Sequence, residues 1–107
     1  MIWTDVESVG LTGPAVLVQW AKDGGPVQLF HPFHSTAGES VRVVEQICSD
    51  VVGGFNLTFD AYKLIQLWAV ARLLPPGERL TPKAFLATWR QAAELGWVIK
   101  PPGVLDL

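Results

Sequence analysis

Two apolar runs, Ala15 to Ala21 and Val27 to Phe30, flank the segment Asp23-Gly24-Gly25-Pro26, and this arrangement restricts the fold more than any other feature. Asp-Gly and Gly-Gly readily take the positive φ values of a tight hairpin turn, whose twist matches that of paired strands. Ile2-Trp3-Thr4-Asp5-Val6-Glu7 is a further short β-rich run. The chain up to Phe30 therefore reads as three strands in one antiparallel meander.

The pattern then changes to a helical period. Ser40 to Ser49 places Val41, Val44, Ile47 and Cys48 on one face, with Arg42, Glu45 and Gln46 elsewhere. Val51-Val52, leading through Gly53-Gly54 to Phe55, reads as a short buried strand. Phe59 to Leu73 is a second helix with Leu64, Leu67, Trp68 and Ala71 on its inner stripe, stopped by Pro75-Pro76-Gly77. Thr81 and Pro82 open a third as N-cap and first-turn proline, and Gly96 closes it. Trp97-Val98-Ile99 and Val104-Leu105-Asp106-Leu107 are β-like, split by Pro101-Pro102-Gly103. Strands in a run followed by alternation predict an α/β fold, a mixed sheet with helices on both faces. No repeat or linker divides residues 1–107, so one domain is expected.

Composition narrows the function. A chain of 107 residues holds one small core, and half of it is hydrophobic, with five Trp and five Phe. Its charged fraction of 17% lies below the roughly 25% usual for soluble domains. With a mean hydropathy of +0.30, apolar surface is left for a partner subunit or the remainder of a longer polypeptide to cover. A net charge of −2 and a pI near 5.5 exclude a basic stripe for non-specific nucleic-acid binding. Any grip on phosphate must come from metal ions, backbone amides or a few basic residues. Lys63, Arg72, Arg79, Lys83 and Arg90 are scattered and read as a solvated face. Cys48 is the single cysteine, which excludes an internal disulfide and a cysteine-based zinc site; on its helix it reads as core. His31 and His34 lack ligand-spaced partners and read as loop residues. No signal segment or membrane-length apolar run is present, so the sequon Asn56-Leu57-Thr58 is read as chance and a cytoplasmic location is expected.

The residues that carry chemistry are acidic. Asp5 and Glu7, two apart on a strand, share a face while Val6 points to the core. Adjacent carboxylates repel, and a cation between them relieves the repulsion; oxygen-only ligands select Mg²⁺ or Mn²⁺. Further on, Val51-Val52-Gly53-Gly54-Phe55-Asn56-Leu57-Thr58-Phe59-Asp60 sets an acid at the mouth of a helix, directly after a strand.

With Gly10 and Leu11 following Asp5 and Glu7, the two segments resemble the first two motifs of the DEDD (DnaQ-like) 3′–5′ exonucleases, which include polymerase proofreading domains. Those motifs read D-x-E-x-x-G-L and a V-V-G-x-N-x-x-F-D strand-to-helix turn. The resemblance covers about residues 2–68 and implies a ribonuclease-H-like fold acting on the 3′ end of single-stranded DNA or RNA. It implies that Asp5 bridges two divalent ions, that Glu7 binds one of them near the 3′-hydroxyl, and that Asp60 holds the second. It implies too that Leu11 presses on the terminal base and that Asn56 shapes the turn beside the substrate, with Phe59 packing beneath. Two ions about 3.5–4 Å apart both generate the hydroxide and stabilise the leaving oxygen, which suits an acidic protein.

The family's third motif, an Asp preceded by Tyr or His, has no counterpart. After Asp60 the acids are Glu78, Glu94 and Asp106, and none has Tyr or His four or five residues earlier. Val104 to Leu107 resembles the strand before that last helix, so the chain is expected to be an N-terminal piece with little nuclease activity alone. A degenerate, non-catalytic interaction module and an unrelated α/β domain with accidental matches are the other readings.

Overall fold

The computed structural model describes residues 1–10 and 13–94. The elements in order are β1 (Ile2–Ser8), β2 (Ala15–Lys22), β3 (Gln28–Phe30), α1 (Ala37–Ile47), β4 (Val52–Gly53), α2 (Leu57–Arg72) and α3 (Pro82–Glu94), with a 3-10 turn at Pro32–His34. The protein is therefore α/β, with a four-stranded mixed sheet in the order β3-β2-β1-β4.

The meander forms as its turn residues demand. Asp23 (φ 50°) and Gly24 (φ 74°) occupy the centre of a turn closed by the Gly25 N–H on the Lys22 carbonyl, and β3 folds back on β2. β1 runs antiparallel to β2 from Ile2↔Lys22 to Ser8↔Ala15, with an irregularity between Glu7 and Ser8. β4 pairs parallel to β1 through Ile2↔Val52 and Trp3↔Gly53. β1 is thus internal, which fixes the position of its side chains from both sides.

Alternation along β1 buries Ile2, Thr4 and Val6 and leaves Trp3 and Glu7 exposed, with Asp5 between these extremes. The buried face joins Val18, Trp20 and Phe30 to Val44 and Ile47 of α1, Leu64, Leu67 and Val70 of α2, and Phe85 of α3 in a single core. All the described helices therefore contribute to one face of the sheet. The opposite face carries Trp3, Glu7 and Leu29 exposed, where helices on both faces were expected.

α1 starts at Ala37, three residues before the apolar period begins, because Thr36 caps it and its Oγ1 accepts the Glu39 N–H at 3.2 Å. It ends at Ile47, so Cys48 is its exposed C-cap and not core. β4 is two residues long and half-buried, and Phe55 is 98% exposed; the run from Val51 to Phe55 is not the buried strand its composition predicts. Thr81 caps α3 as expected, its Oγ1 accepting the Ala84 N–H at 3.1 Å. The expected closing Gly96 and the β-like segments at 97–99 and 104–107 lie outside the described residues. No described helix is long and apolar enough to cross a membrane.

Candidate functional site

The site is built where two parallel strands end and a helix begins. Ile2 donates its N–H to Val51 at 2.8 Å, which shows that even-numbered residues of β1 present their N–H groups toward β4. β4 stops at Gly53, so the Val6 N–H on the same edge has no strand to receive it. Asp60, in the first turn of α2, fills that place: its Oδ1 accepts the Val6 N–H in a long bond of 3.4 Å. The chain reaches this position through Gly54, whose backbone lies so close to β1 that a Cβ there would stand 2.7 Å from the Thr4 carbonyl.

Asp60 is 2% exposed, and its second oxygen, Oδ2, is buried without a hydrogen-bond partner among the described residues. Burial pushes its carboxyl above the ordinary carboxylate range, the Val6 N–H opposes that shift, and the negative charge of Asp5 adds to it. The electrostatic effect of Asp5 means that the strand acid and the helix acid share one neighbourhood. Glu7 lies one step further along the same face of β1 and is exposed. Among the described residues, no three His, Cys, Asp or Glu side chains form a group that could hold a metal ion.

Asn56 is the N-cap residue of α2, exposed, and its side chain makes no capping hydrogen bond. Phe59 is partly buried. Leu11 lies outside the described residues. An apolar cleft of about 280 Å³, lined by Val44, Glu45, Cys48, Ile65 and Trp68, opens between α1 and α2 and shares no residue with the acids.

Lys63 corrects the expectation of a solvated basic face. It is 1% exposed, and its Nζ donates to the Gly13 carbonyl in the loop between β1 and β2. The ammonium also lies over the rings of Phe59 at 5.5 Å and Tyr62 at 5.8 Å. Burial alone pushes its pKa below the usual lysine range. Helical spacing could have found it: Lys63 falls three residues after Asp60 and four before Leu67, on the inward stripe. Arg72 remains exposed and stacks on Trp68 at 4.4 Å.

No protein family, curated protein or solved structure matches this chain.

Proposed function

We propose that the chain is a ribonuclease-H-like domain of the two-metal 3′–5′ exonuclease class. It acts on single-stranded DNA or RNA 3′ ends in the cytoplasm, as a proofreading part of a DNA polymerase or beside a partner subunit. The observation that carries this reading is Asp60, a helix-borne carboxylate at the carboxyl end of the strand that bears Asp5 and Glu7. It is buried, has one oxygen unpartnered among the described residues, and feels the Asp5 charge. A buried anion beside a second anion is a poor device for stability, and a divalent cation relieves both strains. The geometry also suits the general rule that open α/β sheets bind ligands outside the carboxyl ends of their strands.

Asp5 and Asp60 would hold Mg²⁺ or Mn²⁺, with Glu7 approaching from the exposed side. Carboxylate oxygens are the donors these hard cations prefer, and water and substrate would have to supply the remaining ligands. When bound, the ions supply an activated hydroxide and stabilise the departing oxygen. The chain's own contributions are positional. The Val6 N–H fixes Asp60, and the α2 N-terminus, which no Asn56 side chain caps, offers backbone N–H groups to phosphate. Phe55, almost wholly exposed one residue before Asn56, suits stacking on an unpaired base. An Asp supplied from further chain or a partner would complete the site.

Calorimetric titration with Mn²⁺ tests the reading. Wild type should bind weakly, and Asp5→Ala should lose at least about tenfold in affinity, since removing one ligand of a hydrated ion costs on the order of 1–2 kcal/mol. Equal heats from both proteins would favour the second reading, a non-catalytic interaction module, which the exposed Trp3, Leu29 and Phe55 also suit.

A further inference from the structure

We propose that Lys63 is a positioning residue of this site, its buried ammonium tying the β1–β2 loop at Gly13 to the helix that presents Asp60. The inference rests on the nuclease reading only for its consequence, because the anchor itself is a matter of geometry. Three observations carry it. Lys63 is buried on α2, the helix whose Leu64, Leu67 and Val70 belong to the core, and its ammonium lies over the Phe59 and Tyr62 rings, so an apolar side chain would pack there without desolvating a charge. Stability alone therefore gives no reason for a lysine. Its hydrogen bond crosses fifty positions of sequence to a backbone carbonyl, and it reaches the loop that directly follows Asp5 and Glu7. Among the described residues, that loop is otherwise closed by the Val9 N–H on the Pro14 carbonyl at 3.1 Å and by the Ser8 hydroxyl on the Gly10 carbonyl. Both of those bonds are internal to the strand ends, and neither refers the loop to α2. Lys63 supplies that reference, so the strand acids and the helix acid are held in one frame. The rings of Phe59 and Tyr62 accompany the ammonium from the same helix.

Amide hydrogen exchange on wild type and Lys63→Met tests the anchor. Methionine keeps the length and the apolar stem and removes every donor. Exchange at the Val9 amide should quicken at least tenfold in the variant and the Gly13 resonances should move, while amides in the middle of α2 keep their wild-type protection. Unchanged Val9 and Gly13 signals would overturn the proposal. So would a uniform rise in exchange throughout the fold, which would show Lys63 to be a structural residue only. Should Lys63→Met not fold, wild type decides the matter: the Lys63 ammonium should give a slowly exchanging resonance with a cross-relaxation contact to the Gly13 α-protons, and its absence overturns the anchor. Mn²⁺ added to both folded proteins separates this result from the wider reading. In wild type it should broaden the Val6, Gly13 and Asp60 signals together, and in the variant Gly13 should escape. If Mn²⁺ broadens none of them in either protein, the metal reading fails while the exchange result still judges the anchor.

Discussion

At Asp60 a carboxylate is asked to do what a neutral amide would do more cheaply. Oδ1 satisfies the Val6 N–H, whereas Oδ2 is buried with no partner among the described residues, and the carboxyl feels the charge of Asp5. The folded-state pKa is raised above the ordinary 3.8, chiefly by burial. The group's stabilising contribution is therefore complete below pH 3.8 and is lost as pH rises through the folded-state value. At neutral pH the charge opposes folding. Asp60→Asn, which keeps an acceptor for Val6, should stabilise the metal-free protein by about 1 kcal/mol at neutral pH and by nothing below pH 3.8. Thermal melts at the two pH values read the difference. With excess Mn²⁺ the order should invert, because only wild type gains stability by binding the ion. A variant less stable than wild type at neutral pH without metal would mean that the carboxylate is satisfied in some other way.

The junction between β4 and α2 sets where that carboxylate stands, and its two glycines are not equivalent. A Cβ at Gly54 would meet the Thr4 carbonyl at 2.7 Å, a backbone atom on an internal strand. One at Gly53 would meet the Met1 methyl at 2.9 Å, the end of a flexible side chain. Gly54→Ala should cost roughly 1–3 kcal/mol in urea unfolding and weaken the Asp60–Val6 bond, while Gly53→Ala should cost under about 1 kcal/mol. Equal losses would mean that the helix start can shift away from β1 freely. The same elements show what a sequence reveals. Asp23-Gly24 announced its hairpin because positive φ is a local requirement, and Thr81-Pro82 announced α3 because capping is local too. The bond from the Val6 N–H to Asp60 was not legible locally, since nothing local brings residue 60 to residue 6. The exposure of Phe55 and Cys48 was not legible: both follow apolar runs, and only the early ends of β4 and α1 turn them outward. The burial of Lys63 was not legible from its residue type either, because a lysine is rarely buried without a partner and its partner, the Gly13 carbonyl, lies fifty positions away.

Across the whole molecule, the described helices pack on one face of the sheet and leave the other to β1, β2 and β3. The register sets Trp3 beside Ala21 and Gly53, and Gln19 between Asp5 and Leu29. Trp3, 47% exposed, has only small cross-strand neighbours, and Leu29 is 59% exposed. An apolar surface of this kind associates in water, and a net charge of −2 opposes association weakly. Sedimentation at rising protein concentration should show wild type self-associating and Trp3→Ser/Leu29→Ser remaining monomeric, with stability changed by no more than about 1 kcal/mol because neither side chain belongs to the core. Asp5 and Glu7 lie on this same face, so a contact that covers Trp3 and Leu29 also restricts access to the acids. Association and ion binding then compete, and linkage requires Mn²⁺ to shift wild type toward monomer. Association that proceeds unchanged in Mn²⁺ would separate the sticky face from the acids; association that strengthens would mean that the ion bridges two chains instead of completing one site.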